Sequence, residues 1–376
     1  MSAPESSEAF KSASRIVVKV GSTLVAEHGK ARQTWLTGLA ADIAARRAAG
    51  QEVILVSSGA IALGRHQLGP ERPRKLEEKQ AAAALGQPLL MTAMTTAFAP
   101  HKIPVAQALL TLDDTENRRG WLNARATLET LLKAGAVPVI NENDTVATDE
   151  IRYGDNDRLA ARVAQMIGAS ALVLLSDVDG LYTGDPRTNP AAQHISELTD
   201  VTPEHDNMAG DINASADLGS GGMVTKLAAA RIAQSAGCMT VITLGNRDRP
   251  ISALLDGQRA TWIRSTTTPD KAREIWLRDH LTPEGTLFID QGAARALIGG
   301  ASLLPVGVAR VEGHFARGAA VAIKSDTGAL IAKGVTAYCS DDAAHIAGLQ
   351  SDQIEQELGF RGRPALVHRN DLVLER

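Results

Sequence analysis

The chain has 376 residues, more than one average domain holds, and 44% of them are hydrophobic, enough for a large core. Its formal net charge of -4 argues against a dedicated nucleic-acid-binding protein, which is usually basic. Two cysteines are too few for a disulfide framework, and the lack of a signal peptide or of an apolar run of roughly 20 residues predicts a cytoplasmic protein.

A short disordered tail is expected at residues 1–14, before a long alternation of apolar runs and helical patterns over residues 15–265. Several of the runs are apolar throughout, as in strands that are covered on both faces. They predict strands at 16–20, 52–56, 105–109, 137–140, 171–175 and 240–244. The patterns between them predict helices at 33–49, 76–99, 121–134, 158–167 and 226–236. The fold class is therefore α/β, with a mostly parallel central sheet and helices on both faces.

The pattern changes after residue 265. A charged stretch at residues 266–283 is predicted to be a linker. Residues 284–366 show short alternating runs separated by glycines, which predict a small β-rich barrel domain. Its strands are expected at 287–290, 308–312, 319–324 and 330–336, with short helices at 292–298 and 341–347. Residues 367–376 are expected to form a C-terminal tail.

Polar residues follow the predicted strands where an open parallel sheet places its ligands, beyond the carboxyl ends. These are Ser-Ser-Gly-Ala at 57–60, Asn-Glu-Asn-Asp at 141–144, Gly-Asp-Asn-Asp at 154–157, and Ser-Asp-Val-Asp-Gly at 176–180. The Asn- and Asp-rich segments could be solvated turns, and Ser-Ser-Gly-Ala could be only a helix cap, but capping and ligand binding are compatible and we expect both there, with Ser58 supplying the hydroxyl. Because several such loops meet at one edge, a ligand site is the better interpretation.

Two elements suit a phosphate group. Residues 219–222 hold three glycines in four positions, and a helical run and Lys226 follow them. Exposed backbone N–H groups, the positive end of a helix and a lysine all favour an anion. Lys19 lies near the end of an apolar strand. A lone lysine there could simply extend its charged end to solvent. Together with Lys226, however, it indicates a polyphosphate that is held from two sides. Neither a Walker A loop nor a Gly-x-Gly-x-x-Gly fingerprint is present.

The motifs resemble those of the amino-acid kinase family, in the form that carries a C-terminal PUA domain. The resemblance covers nearly the whole chain and includes VVKVGSTL, VSSGAIALG, GQPLLM, WLNARATL, PVINENDTVAT, GDND, LLSDVDGLYTGDPR, GSGGMVTKLAAA, ASLLPVGV and VHRNDLVL. The combination of Asn-Glu-Asn-Asp, Gly-Asp-Asn-Asp and Gly-Gly-Met-x-Thr-Lys is specific to the glutamate-phosphorylating branch. Trp121, where Phe is usual, and Ala301, where Ser is usual, depart from the family pattern outside the expected site.

The resemblance implies phosphorylation of the γ-carboxylate of L-glutamate by ATP with Mg²⁺, the first step of proline synthesis. Carried over by motif, glutamate would contact Ser58, Asp144, Asp155 and Asn156. ATP would contact Lys19, Ser176, Asp177, Ser220, Gly221, Gly222, Met223, Val224, Thr225 and Lys226. The catalytic groups would be Lys19 and Lys226, with Asp157 orienting one or both.

The acceptor's own chemistry agrees with a site rich in lysine. A glutamate side chain has an unperturbed pKa near 4.3, so the nucleophile is already a carboxylate and no general base is required. The obstacle is repulsion between two anions, which lysines and Mg²⁺ reduce. Mg²⁺ is expected to bind through nucleotide oxygens and water, and no histidine spacing indicates a protein metal site.

The resemblance further implies proline as a feedback inhibitor that overlaps the glutamate site. A homo-oligomer and a complex with a glutamyl-phosphate reductase are also expected, the latter because acyl phosphates hydrolyse readily. Two alternatives stay open. The acceptor could be acetylglutamate or aspartate, or the PUA-like domain could bind RNA. Acidic residues outnumber basic ones over residues 284–376, which disfavours RNA.

Overall fold

The computed structural model describes residues 5–69, 73, 75–147, 155–186, 188–208, 222–360 and 362–375. The chain divides into two compact units, Met1–Pro269 and Asp270–Arg376. The division falls inside the stretch that the sequence predicts as a linker. Across the helices that the structure describes, none combines the length and apolar character needed to cross a membrane.

The first unit is built on an eight-stranded sheet. The strands of this unit are β1 (Arg15–Val20), β2 (Ala26–Glu27), β3 (Lys30–Ala31), β4 (Glu52–Ser57), β5 (Val105–Leu110), β6 (Val137–Glu142), β7 (Ala171–Ser176), β8 (Leu181–Tyr182), β9 (His194–Ile195), β10 (Glu197–Leu198), β11 (Met239–Leu244) and β12 (Ala260–Ile263). Four of them lie outside the main sheet: β2 pairs with β3, and β8 pairs with β9. Its helices are α1 (Glu5–Ser12), α2 (Ser22–Val25), α3 (Gln33–Ala48), α4 (Ala60–Gly64), α5 (Leu76–Phe98), α6 (Leu112–Glu116), α7 (Arg118–Lys133), α8 (Asp155–Ile167), α9 (Glu204–Met208), α10 (Met223–Ser235) and α11 (Pro250–Leu255), with α12 (Pro269–His280) at the unit boundary.

The strand order is β10-β12-β11-β7-β1-β4-β6-β5, and among these pairs only β11 and β12 run antiparallel. The predicted mostly parallel sheet is therefore confirmed. Side chains alternate between its faces, because successive residues of a strand point to opposite sides. Ile16 and Val18 pack in the core formed with α3 and α5, whereas Val17 packs in the core formed with α8 and α10. Lys19 shares the parity of Val17, so its side chain points toward α8 and α10.

The second unit is a five-stranded sheet in the order β14-β13-β15-β16-β17. Its pairs are antiparallel except β13 with β15. The strands are β13 (Gly285–Ile289), β14 (Val308–Glu312), β15 (Ala320–Ser325), β16 (Leu330–Thr336) and β17 (Val367–Leu374), and the helices are α13 (Gln291–Ile298), α14 (Ser340–Ile346) and α15 (Ile354–Leu358). A separate β-rich domain is confirmed.

The predicted N-terminal tail is wrong for Glu5–Ser12, which form α1. Phe10 is fully buried and meets Trp262 edge to face, with ring centroids 6.1 Å apart. The Gln51 side-chain amide donates hydrogen bonds to the carbonyls of Phe10, at 2.9 Å, and Ala13, at 2.8 Å. All these partners lie far along the chain, so the local pattern could not reveal the helix.

The predicted C-terminal tail is wrong as well, since Val367–Leu374 form β17. This strand pairs antiparallel with β16, and Val373 and Val367 are buried. Its apolar residues flank a polar His-Arg-Asn-Asp stretch, which hides the alternation typical of a half-buried strand. Pairing with β16 supplies the stability that the local sequence lacks.

A buried carboxylate joins α3 to α11. Asp42 Oδ2 accepts from the backbone N–H groups of Ile251, at 2.7 Å, and Ser252, at 3.1 Å. Asp42 Oδ1 accepts from the Ser252 hydroxyl, at 2.5 Å, and from Arg249 Nε, at 3.0 Å. Asp42 thus satisfies N–H groups in the first turn of α11 that have no partner within the helix.

We expect Asp42→Ala to lower the free energy of unfolding by about 3 kcal/mol, because it leaves buried donors without a partner. Urea denaturation measures the change. Asp256→Ala, at an exposed aspartate just after α11, is the control and should stay close to wild type. Equal stability of Asp42→Ala and the wild-type protein would contradict the assignment.

Candidate active site

The candidate residues meet at one edge of the sheet. Strands β7, β1, β4 and β6 are neighbours and run parallel, so their carboxyl ends lie side by side. Lys19 stands next to the last residue of β1, Ser176 ends β7, and Asn141 lies near the end of β6. Ser58 follows β4, and its backbone N–H donates to the carbonyl of Val20 at 3.0 Å. Neighbouring strands therefore deliver these side chains to a common edge.

Two helices bring further polar residues to this edge, and each begins three residues earlier than its pattern predicts. Helix α8 starts at Asp155, so Asn156 and Asp157 lie in its first turn. Helix α10 starts at Met223, which places Lys226 in its first turn rather than at its start. The two helices pack side by side in the same core, so their polar first turns are neighbours.

A buried carboxylate holds two lysines together. Asp157 Oδ1 lies 2.6 Å from Lys19 Nζ, and Asp157 Oδ2 lies 3.5 Å from Lys226 Nζ. The Thr225 hydroxyl donates to Asp157 Oδ2 at 2.9 Å. The side chain of Asp157 is 0% exposed, and each lysine side chain is 6% exposed. The structure thus brings the two lysines together around one anion, with Thr225 as a further support that the motif alone does not indicate.

The charges in this cluster depend on one another. Burial by itself would raise the pKa of Asp157, but the Lys19 and Lys226 charges and hydrogen bonds from Lys19 and Thr225 lower it, and the net pKa is below its ordinary value. Burial lowers the pKa of Lys226, and the Lys19 charge lowers it further. The charges of Asp157 and Asp177 oppose that effect. Asp157 therefore favours the protonated form of a desolvated ammonium group.

A second network lies beside the cluster and consists of amides. Asn156 Nδ2 donates to the Ser58 hydroxyl oxygen at 2.7 Å and to Asn141 Oδ1 at 3.2 Å. The expectation that Ser58 caps the following helix is wrong, because Gly59, with φ of 111°, holds the cap position of α4 and no side chain caps it. The Ser58 hydroxyl is used instead by Asn156.

Sequence reasoning missed two members of this network. Asn141 belongs to the Asn-Glu-Asn-Asp motif but carried no predicted role. Gln87, in the middle of α5, accepts from Asn141 Nδ2 at 2.9 Å. A glutamine among the apolar and small residues of α5, directly before Pro88, was the available signal.

The remaining predicted residues fall into four groups. Ser176 is buried and donates to Asp177 Oδ1 at 3.0 Å, while Asp177 itself is exposed. Asp144 is buried in the turn after β6, and Asp155 opens α8. Gly222 precedes α10, whose first residues are Met223 and Val224, both half-buried. Ser220 and Gly221 lie outside the described residues.

The described residues hold no group of three His, Cys, Asp or Glu side chains placed to bind a metal ion. Two lysines around a single carboxylate leave a net positive charge at the edge of the sheet, which suits an anionic ligand.

Comparison with known proteins defines the class. The sequence profile of the amino acid kinase family matches residues 14–244, and that of the PUA domain matches residues 285–358. A solved structure of an isopentenyl phosphate kinase substrate complex is similar, with a TM-score of 0.46 and 16% identity over 67% of this chain and 100% of that one. The chain belongs to the amino acid kinase family.

Two bacterial relatives narrow this assignment. The glutamate 5-kinase of Caulobacter vibrioides (strain NA1000 / CB15N) is 58% identical over 369 residues, 97% of this chain and 98% of that protein. The glutamate 5-kinase of Paramagnetospirillum magneticum is 58% identical over 365 residues, 96% of this chain and 98% of that protein. Within the family, the chain therefore belongs with the glutamate 5-kinases.

The cluster predicts a pH effect. Because the charge on Asp157 raises the pKa of Lys226, Asp157→Asn should lower that pKa further, so that Lys226 loses its proton at lower pH. We expect the alkaline limb of the kcat profile to move to lower pH, and kcat at pH 7 to fall by about 100-fold. The pH dependence of kcat measures both effects.

The matched control is Asp206→Asn. It also removes a carboxylate that pairs with a basic residue of α10, in this case Arg231, but neither residue belongs to the lysine cluster. Its kcat profile should coincide with that of the wild-type enzyme. An alkaline limb that does not move in Asp157→Asn would contradict the role of Asp157.

Proposed function

We propose that the protein transfers the γ-phosphoryl group of ATP to the γ-carboxylate of L-glutamate, forming L-glutamyl 5-phosphate in the first step of proline biosynthesis. The observation that supports this most is the buried Lys19–Asp157–Lys226 cluster beside the Ser58–Asn156 network. The cluster suits a polyphosphate and the network suits a small polar acceptor. A phosphoryl donor and its acceptor need this adjacency.

Electrostatic stabilisation of the transition state is the main source of rate acceleration in this mechanism. The acceptor carboxylate is ionised at neutral pH, so a proton acceptor would contribute nothing. An ammonium about 4 Å from a phosphoryl oxygen contributes about 4 kcal/mol at an effective dielectric constant of about 20. Only the part of this interaction that strengthens in the transition state raises kcat, so about a thousandfold in rate is the upper limit for each lysine. Two lysines therefore outweigh any contribution from acid–base groups.

Asp157 makes this arrangement stable before the substrates bind. Two desolvated ammonium groups side by side repel each other and favour loss of a proton. The carboxylate between them offsets the repulsion and fixes the position of both nitrogens. When the phosphates arrive, the lysines are already charged and in place, so little reorganisation is needed during the reaction.

The other residues are assigned by their position around this cluster. We assign ATP contacts to Ser176 and Asp177 at the end of β7, and to residues 220–226 before and within the first turn of α10. We assign glutamate contacts to Ser58, Asp144, Asp155 and Asn156. The carboxylates in this second set would bind the α-ammonium group of the acceptor.

The residues fit Mg²⁺ that arrives with the nucleotide. Both oxygens of Asp157 are already engaged by Lys19, Lys226 and Thr225, so this carboxylate is not a free metal ligand. We propose that phosphate oxygens and water hold the ion, with the exposed Asp177 carboxylate in its outer shell. When bound, the ion neutralises part of the phosphate charge.

Four further proposals rest on the family resemblance. Proline would inhibit by occupying the glutamate position, and the chain would act as a homo-oligomer in the cytoplasm. Acyl phosphates hydrolyse readily, so a glutamyl-phosphate reductase that receives the product directly is a suitable partner.

A panel of acceptors tests the proposed reaction. With Mg-ATP and hydroxylamine, L-glutamate should give a hydroxamate together with ADP, because hydroxylamine traps an acyl phosphate. N-acetylglutamate lacks the ammonium group and aspartate is one methylene shorter, so both should react at least about tenfold more slowly in kcat/KM. A preference for either of them would replace glutamate as the acceptor.

Substitutions should separate the two halves of the site. Lys19→Ala and Lys226→Ala each remove one charge from the phosphates, so kcat should fall strongly, by up to about a thousandfold, with little change in the KM for glutamate. Asn156→Ala and Asp144→Ala should instead raise the KM for glutamate by about tenfold or more. Steady-state kinetics with each substrate varied measures the split.

The lysine assignment is wrong if both lysine variants keep a kcat close to that of the wild-type enzyme. The acceptor assignment is wrong if Asn156→Ala changes only the KM for ATP.

A further inference from the structure

Helix α5 is in backbone contact with the start of α4. A Cβ atom on Gly86 would lie 1.7 Å from the carbonyl oxygen of Ala60, so only glycine fits there. This contact fixes α5 against the segment that follows Ser58. The next residue, Gln87, is 8% exposed, whereas Leu90, one turn further on, is buried and apolar. A polar side chain in this position needs an explanation.

Gln87 begins a series of hydrogen bonds between carboxamides. Gln87 Oε1 accepts from Asn141 Nδ2 at 2.9 Å, and Asn141 Oδ1 accepts from Asn156 Nδ2 at 3.2 Å. Asn156 Nδ2 also donates to the Ser58 hydroxyl oxygen at 2.7 Å. The backbone N–H of Glu142 donates to Asn141 Oδ1 at 2.9 Å, so the Asn141 amide is held at both ends.

These hydrogen bonds all run in one direction. A carboxamide has its donors and its acceptor at opposite ends, so an Asn141 amide that donates to Gln87 must turn its oxygen toward Asn156. Asn156 then presents its NH₂ group to Ser58. The Ser58 oxygen is thereby used as an acceptor, and no group among the described residues accepts its O–H proton, which is available to a ligand.

One end of Gln87 has no hydrogen-bond partner among the described residues. Within the described part of the chain, Gln87 Nε2 is buried without a hydrogen bond, and so is Asn156 Oδ1. A buried unpaired amide group lowers stability, so a glutamine that served packing alone would be poorly chosen here. The contribution of Gln87 lies in its oxygen, which faces Asn141.

We infer that Gln87 is a positioning residue for the acceptor: its oxygen orients the Asn141 and Asn156 amides so that Ser58 donates its hydroxyl proton to a carboxylate of the substrate. The inference rests on the proposed glutamate kinase activity. A hydroxyl donor suits an ionised carboxylate, which can only accept hydrogen bonds. Gln87 thereby favours an acidic acceptor without touching it.

Gln87→Met tests this, since methionine has a similar size but no oxygen to accept from Asn141. The KM for glutamate should rise by about tenfold, the loss expected for one oriented hydrogen bond to a charged group. The KM for ATP and kcat at saturating glutamate should stay within about twofold of wild type. A glutamate KM equal to that of wild type would overturn the inference.

Gln51→Met is the matched control. Gln51 is also a buried glutamine, but it precedes β4 at the opposite edge of the sheet and donates to the carbonyls of Phe10 and Ala13. This variant should lower the thermal unfolding temperature and leave both KM values unchanged. If Gln51→Met raised the glutamate KM as much as Gln87→Met, a general loss of packing would explain both, and the inference would fail.

Gln87→Glu gives a second reading, because a carboxyl group keeps an oxygen facing Asn141 whether or not it is protonated. Its glutamate KM should stay within about threefold of wild type. This variant decides the matter if Gln87→Met does not fold: a tenfold rise would then overturn the inference.

A double-mutant cycle with Asn141→Asp isolates the orienting effect. Both oxygens of an aspartate accept, so the orientation of residue 141 would no longer depend on Gln87. In that background Gln87→Met should change the glutamate KM by less than about twofold, and a full additive effect would overturn the inference.

The hydroxamate assay separates failure of the inference from failure of the proposed function. If the wild-type enzyme forms no hydroxamate with glutamate, the proposed function fails and the inference fails with it. If it does and Gln87→Met keeps the wild-type KM, only the inference fails.

Discussion

The cluster of Lys19, Asp157 and Lys226 at the carboxyl edge of the sheet depends on one buried carboxylate. Asp157 lies between two ammonium groups that would otherwise repel each other in desolvated surroundings, and both of its oxygens are engaged. The parity of β1 directs Lys19 toward α8 and α10, where Asp157 and Lys226 lie in the first turns. Removing the carboxylate would lower the stability of the fold strongly, because two buried ammonium groups would lose their compensating charge.

The central architecture was predictable because its signals are local. Continuous apolar runs mark β1, β4, β7 and β11 to within one residue, and the polar segments at 57–60, 141–144 and 176–180 lie at the carboxyl ends of β4, β6 and β7, as the parallel sheet requires. Boundaries set by side-chain caps were harder. Helix α7 begins at Arg118 rather than at the predicted residue 121, because Asn117 Oδ1 accepts from the N–H groups of Arg119 and Gly120.

What the sequence could not reveal depends on partners that are distant along the chain. Helix α1 forms because Phe10 packs against Trp262, and β17 forms because it pairs with β16. The amide network has the same origin: Gln87 and Asn141 are 54 positions apart, and only the folded sheet brings them together. Lys19, Lys226 and Asp157 as their orienting partner were predictable from the motifs, but the distances between them follow from the fold. The parts assigned to Ser220 and Gly221 stay predictions, since these residues lie outside the described segments.

The charged cluster is assembled from a strand and two helices that are widely separated in the chain: Lys19 comes from β1, Asp157 from α8 and Lys226 from α10. None of the three segments contains the cluster by itself, so the arrangement exists only where α8 and α10 are docked beside β1. The cluster is therefore a property of the completed tertiary fold and not of any local motif.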